Sequence, residues 1–422
     1  MTPKYKLPRG TFDILPDQSK KWQFIRDKFQ QICERYAYFE IQTPIFEQAD
    51  LFERSIGDTS DIIEKEMYKF KDKKGRIYAL RPEGTAPVVR SVVANNLVQP
   101  QNPIKIHYMG PMFRYDRPQK GRYRQFHQYG IEFIGSDDPY IDAEVIALGD
   151  TFLKELGLKN YTLEINSIGC PDCSGDFEKA LKEYYEPYKD SLCNDCQIRL
   201  DKNPKRLLDC KVQECKKISE NVPSILDYLD DKCRIHYDSV KKYLKDLEIP
   251  FIINPRIVRG LDYYSQTAFE FVDTNLGAQS TLIGGGRYNG LMAQLGGKDY
   301  PGIGFAGGFE RLLLSLEVEK ISFGESPSPT AFFVFLGKKA KKEGIKLIQQ
   351  LRRYGISCDF ALQKESMKAQ MKAADKCKAK FALILGDNEL ENNEIVVKDL
   401  ALGSQQKIGL ANIIDFFNKK KS

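Results

Sequence analysis

The sequence predicts an α+β protein: an antiparallel sheet flanked by helices, interrupted by a mainly helical insertion and followed by a small α/β module. Three observations carry this expectation. From residue 77 to 135 the strand-like runs RIYALRP, IKIHYMGPMFRY and RQFHQYGIEFIG succeed one another with turn residues and no helix between them, which argues for antiparallel pairing. Residues 170 to 245 are charged, helical in pattern, and hold seven of the ten cysteines. Beyond the Pro/Ser/Gly stretch SFGESPSPT, the segments AFFVFLG, KLIQQLRRYG, SCDFA, MKAQMKAADKCKAK and FALILGD alternate strand and helix.

Each element has its own local signal. Trp22, Ile25, Phe29, Ile32 and Tyr36 recur at spacings of three and four, which predicts an amphipathic helix over residues 18–37. FEIQTPIFE follows, with β-formers around Pro44, and reads as an extended segment at a sheet or interface edge. The domain reading is a sheet domain over 1–169, an insertion over 170–245, the rest of the sheet domain over 246–321, a linker over 322–330 and a terminal module over 331–422.

Composition excludes several classes. An apolar share of 42% with 11% aromatics permits real cores and argues against a disordered chain. No apolar run approaches the ~18 residues that span a membrane. MTPKYKLPRG has no apolar stretch after its charges, so no secretory leader is expected and the cysteines are expected reduced, in a cytoplasm. The net charge of +6 is uneven: residues 331–422 hold 18 Lys and Arg against 10 Asp and Glu, leaving 46 against 48 before them. A basic terminal module points to a polyanion, nucleic acid first, or to a merely lysine-rich surface.

The stretch RYDRPQKGRYRQFHQYG carries Arg114, Arg117, Lys120, Arg122 and Arg124, threaded with aromatics. It reads as a hairpin turning at Lys120-Gly121, either solvated or flanking a pocket for phosphate. A guanidinium fork suits phosphate because it bonds two oxygens at once. Gln128 and Glu132 lie four apart on the return strand and share a face. In LRPEGTAPVVR, Glu83 is either a ligand for an ammonium or imidazole N–H, or an acid at a helix start. RGLDYYSQTAFEF presents Arg259 beside Tyr263 and Tyr264, and GGGRYNGL offers Arg287 and Tyr288. In GIGFAGGFERLL, glycines precede a helix bearing Glu310 and Arg311, whose N–H groups could meet an anion. No Walker loop or Rossmann fingerprint is present. Lys364, Lys368, Lys372, Lys376 and Lys380 recur every fourth residue, a cationic stripe if helical and otherwise a solvated face. Cys170-x2-Cys173 and Cys193-x2-Cys196, nineteen residues apart, match the spacing of one four-cysteine zinc site; the competing reading is reduced thiols in a helical insert.

Taken in order, PRGTFDILP, LRPEGTAPVVR, MFRYDRPQKGRYRQFHQYGIEFIG, RGLDYYSQTAFEF, GGGRYNGL and GIGFAGGFERLL resemble the bacterial histidyl-tRNA synthetases, over essentially the whole chain. The resemblance implies a class II catalytic domain, a helical insertion and an α/β anticodon-binding domain. It implies a ligase that joins L-histidine to the 3′ end of tRNA(His) through histidyl-adenylate, with ATP and Mg2+. By the same resemblance, Arg114 and Arg259 carry catalysis, Arg259 standing on the α-phosphate in place of a metal. Arg114, Arg122, Arg259 and Arg311 bind ATP. Glu83, Thr85 and Gln128 hold the α-amino group, while Glu132, Tyr263, Tyr264 and Tyr288 face the rest of the histidine. Lys364, Lys368, Lys372 and Lys376 meet tRNA, and the helix of residues 18–37 with Pro44 resembles the class II dimer motif, implying a homodimer. Three rival readings stand beside this one: an inactive paralogue regulating histidine biosynthesis, a non-enzymatic RNA-binding protein, and a class II synthetase for another amino acid. The first lacks the terminal module and the RGLDYY arginine. The second has no need of Glu83, Gln128, Glu132 and a tyrosine pair, and the RGLDYY and GGGRY motifs speak against the third.

Overall fold

The computed structural model describes all residues except 1–3, 57–61, 100, 259, 278–279, 325–327, 362 and 421–422. The chain forms two compact units, residues 1–323 and 324–422. The first is built on an eight-stranded sheet whose spatial order is Phe39–Glu40, Ile104–Phe113, Gln125–Ile134, Gly302–Gly308, Thr281–Arg287, Ser265–Asp273, Tyr161–Ser167 and Ile252–Ile253. The six inner strands are antiparallel, and each two-residue edge strand pairs in parallel. Short edges of this kind limit the open hydrogen-bonding groups that a sheet presents.

The helix Pro16–Arg35 lays Trp22, Ile25, Phe29 and Ile32 into the core, as their spacing predicts; Tyr36 falls just beyond its end. One helix departs from the expected pattern. Thr85–Ala94 interrupts the strand-rich region, because APVVRSVV buries its valines on one side and Glu83 caps its start. Phe46–Gln48, Lys69–Lys71 and Ile77–Leu80 form a separate three-stranded sheet instead of joining the large one.

The cysteine-rich stretch is helical, with Pro171–Tyr185, Asn194–Lys202 and Asp231–Asp246 as its longer elements. It shares the core of the sheet, and His236 on the last of these helices meets buried Asp142. The same carboxylate takes a bidentate grip from Arg287, which is fully buried and also donates to the carbonyls of Ser136 and Asp138. Burial works to raise the Asp142 pKa, but Arg287 and His236 outweigh it and hold the carboxyl below the ordinary range. Arg287 is therefore a structural tie inside the core, not a ligand.

The second unit is a five-stranded sheet in the order Cys358–Phe360, Ala331–Phe335, Phe381–Leu385, Glu394–Asp399 and Gln405–Gly409. The first three are parallel and joined by the helices Lys338–Arg353 and Met367–Lys376, as expected. An antiparallel hairpin then extends the sheet past FALILGD.

Candidate active site

A cavity of about 340 Å3 opens on the large sheet. Its wall includes Glu83 and Thr85 at the start of Thr85–Ala94, and Arg114 and Gln128 from the strand pair joined by the basic hairpin. Tyr263 and Tyr264 close another side, and Gly307, Gly308 and Arg311 come from the strand–helix junction. The connection turns at Gly121, whose φ of +76° suits glycine, and a Cβ there would press on Leu314 and Arg311.

Three guanidinium groups converge on this cavity. Arg114 donates through Nε to the Pro82 carbonyl (2.9 Å) and lies over the Phe126 ring. Arg122 pairs with Asp116, and Arg311 reaches in from the helix Phe309–Val318. Burial lowers the pKa of Arg114 and of Arg311, and for Arg311 the cations Arg122 and Arg114 push the same way. An anion held among them would relieve that repulsion. The other hairpin cations do different work. Arg117 and Lys120 are exposed, while Arg124 stacks on Tyr115 and donates to the Asp116 carbonyl.

Glu83 is buried, and its two oxygens accept the N–H groups of Thr85 (2.6 Å) and Ala86 (2.8 Å). Both readings of this residue therefore meet: it caps a helix and also lines the cavity. Burial raises its pKa, and the two N–H bonds oppose that. Beneath Thr85 lies Glu132, 1% exposed, which accepts from the Thr85 hydroxyl and from the Tyr288 hydroxyl, each at 2.7 Å. Burial pushes its pKa up to about 8. Glu132 and Tyr288 thus form a hydrogen-bonded floor behind the cavity wall; Thr85 and Tyr264 stand in the wall itself. Gln128 retains one buried polar atom, Oε1, with no hydrogen-bond partner among the described residues, and the Tyr263 hydroxyl lies buried beside Thr85. Buried polar groups without partners are uncommon, and Gln128 lines a cavity where a polar ligand would satisfy it.

The glycines of GIGFAGG form the strand Gly302–Gly308, and the last of them, Gly308, is the N-cap of the helix Phe309–Val318, as expected. A Cβ at Gly302 would overlap the Tyr288 ring, and one at Gly304 the Glu132 carboxylate, so these positions admit the floor. GGG likewise lies within a strand, Thr281–Arg287. Glu310 lies in the cavity wall and accepts from the His127 N–H at 2.9 Å.

Residues that sequence reasoning missed are Asp116, which holds Arg122, and Glu270, which accepts from the Thr281 hydroxyl (2.9 Å) at the cavity wall. Asp116 was legible as an acid between two arginines. Glu270, in AFEF, carries no local signal. Arg259 lies outside the described residues.

Two expectations are corrected. The lysine stripe is shorter than its spacing implies. Lys368, Lys372 and Lys376 lie on the helix Met367–Lys376, but Lys364 precedes its cap at Ser366 and Lys380 follows its end. The four cysteines assigned to one metal site also separate. Cys170 and Cys173 gather with Cys233 and Asp230, and Cys193 and Cys196 with Cys210 and Cys215. The two C-x2-C pairs begin different helices, so the nineteen residues between them fold away from each other's partners.

Residues 10–171 and 209–312 match the family model for histidyl-tRNA synthetase, and residues 330–420 match that for an anticodon binding domain. The chain is 50% identical to the histidine–tRNA ligase of Halothermothrix orenii over 98% of its own length and 99% of the relative's. It is 48% identical to that of Desulforamulus reducens, over 98% and 99%. Its fold is similar to the crystal structure of apo S. aureus histidyl-tRNA synthetase, with a TM-score of 0.84 and 43% identity over 98% of this chain and 99% of the other.

Proposed function

The chain belongs to the histidyl-tRNA synthetase family, and from that premise we propose how its residues divide the reaction. The activity is that of a class II ligase: histidine is activated with ATP and joined to tRNA. In activation, a histidine carboxylate oxygen attacks the α-phosphorus of ATP, and the bond to the β-phosphate breaks. Pyrophosphate leaves with the electron pair. The protein's task is to align these groups and stabilise charge on the phosphoryl oxygens. The convergence of Arg114, Arg122 and Arg311 on one cavity carries this reading. Arg114 takes the α-phosphate side and Arg122 and Arg311 the outer phosphates. Arg259 completes the set.

Histidine lies against the opposite wall. Glu83 has further lone pairs for the α-ammonium, joined by Thr85 and by Gln128 Oε1. Tyr263 and Tyr264 enclose the side chain, and the Glu132–Tyr288 floor sets the polarity that an imidazole meets. A site arranged around a polar side chain rejects analogues lacking it by ~10⁴–10⁵, so no editing step is required.

Mg2+ fits as an ion carried by the triphosphate, since it takes phosphate oxygens, water and one or two carboxylates. Asp116, Glu270 and Glu310 are the wall carboxylates that would hold it. When bound, the ion neutralises phosphate charge.

The second unit meets the anticodon loop, with Lys364, Lys368, Lys372 and Lys376 toward phosphates. The domain boundaries we assign are a catalytic domain over 1–169 and 246–321, an insertion over 170–245, a linker over 322–330 and an anticodon-binding domain over 331–422. A homodimer is supported by the exposed apolar face of the small sheet. A cytoplasmic setting is supported by ten free cysteines, and no described helix is long and apolar enough to cross a membrane.

ATP–pyrophosphate exchange, run with each of the twenty amino acids in turn, tests the reading. Exchange with histidine alone is expected. Absence of exchange with any of them, from folded protein, transfers the case to a regulatory or binding role.

A further inference from the structure

We propose that the insertion holds two separate zinc ions, one bound by four cysteines and the other by three cysteines and an aspartate. The four-cysteine site comprises Cys193, Cys196, Cys210 and Cys215; the mixed site comprises Cys170, Cys173, Cys233 and Asp230. In each group the four donor atoms lie within 4.8 Å of one another. Zinc holds thiolates at ~2.3 Å, so the edge of its tetrahedron is ~3.8 Å. Cys170 and Cys173 place their sulfurs 3.6 Å apart, and Cys193 and Cys210 place theirs 3.9 Å apart. These separations bracket that edge and are far beyond the ~2.05 Å of a disulfide. All seven cysteines are free.

The local backbone explains how the ligands meet. Cys170, Cys193 and Asp230 each occupy the N-cap position of a helix, and each has a cysteine three residues on, one turn above it on the same face. Asp230-x2-Cys233 is thus a C-x2-C knuckle with a carboxylate in the first position. Backbone N–H groups already point at the sulfurs: Cys193 N–H at Cys215 Sγ (3.3 Å) and Asp230 N–H at Cys173 Sγ (3.2 Å). Such bonds steady a thiolate that ligates a metal.

Family-model matching stops at residue 171 and resumes at 209, so Cys173, Cys193 and Cys196 lie in the unmatched stretch. The mixed site joins the two ends of the insertion. Cys170, Asp230 and Cys233 line a cavity of about 610 Å3 whose far wall includes Tyr263 and Tyr264, which also line the reaction cavity. The ion there is a clamp at the root of the insertion, and the four-cysteine ion organises its interior. Thiolate-rich tetrahedra select zinc or iron, and neither site is spread widely enough for a multi-iron cluster.

Metal analysis of the full chain, expressed with zinc available and purified with a reductant and no chelator, decides it. Two zinc ions per chain are expected. Cys196→Ser with Cys210→Ser lowers this to one, and so does Cys173→Ser with Cys233→Ser, while Asp230→Cys keeps two. Zinc well below one per chain from folded protein overturns the proposal, and iron in its place overturns the choice of ion. A single zinc per chain overturns the two-site assignment. Should a serine pair fail to fold, the wild-type stoichiometry and Asp230→Cys still decide.

Discussion

At neutral pH the Glu132 carboxyl holds its proton, since burial beneath Thr85 and Tyr288 pushes its pKa up to about 8. A free imidazole titrates at about 6.5. If the complex keeps one proton between the two groups, histidine binds best between these values. Below about 6.5 the pair must lose a proton, and above about 8 it must gain one. Calorimetric titration across pH 5.5–9 should therefore give a bell, and Glu132→Gln should lose the alkaline limb. The same shift affects stability without ligand. The folded pKa lies above the ordinary 4.5, so the contribution is fully present below about 4.5 and lost as pH rises through about 8. Glu132→Gln should flatten that decline in Tm. Arg259→His removes a guanidinium from the assigned phosphate set. Exchange should fall by ~10²–10³ with Tm unchanged, and a wild-type rate would remove Arg259 from catalysis.

The strand Gly302–Gly308 shows how an element makes room for a site. Gly304→Ala should cost about 1–3 kcal/mol of stability, since its methyl group meets the Glu132 carboxylate and a backbone carbonyl. Histidine affinity should fall with it; a neutral result in denaturant unfolding would show that the floor can move. The helix Met367–Lys376 makes the opposite case, with its lysines on the exposed side. Reversing Lys368, Lys372 and Lys376 to Glu should raise the KM for tRNA and flatten its salt dependence while leaving pyrophosphate exchange intact. Equal loss in both reactions would refute the assignment of that face.

Across the whole molecule, two compact units have separate cores, and a division of the reaction between them is testable. Removing residues 324–422 should raise the KM for tRNA far more than it lowers exchange. The small sheet of the first unit leaves Phe46, Phe70 and Ile77 between 41% and 50% exposed, with Phe46, Phe70 and Tyr78 in ring contact. An exposed aromatic face of this kind is characteristic of an association surface. Sedimentation should report a dimer, and Phe46→Glu with Phe70→Glu should shift it to monomer; an unshifted dimer would place the contact elsewhere.

Periodicity and turn chemistry are local, so the sequence by itself determined the helix over Trp22–Ile32, the Lys120-Gly121 turn, the antiparallel pair Ile104–Phe113 and Gln125–Ile134, and the alternating terminal module. Its motifs also located Arg114, Arg122, Arg311, Thr85 and Gln128, which the fold brings to one cavity. Partnership across long separations is not local, and only the tertiary structure decided it. Arg287 found Asp142 from 145 residues away, and Glu132 found Tyr288 from 156. Gly304, within a strand, became the gap that admits the buried Glu132 carboxylate. The same reason explains the cysteines: spacing fixes which two thiols share a helical turn, while the packing of distant helices fixes which pairs share an ion.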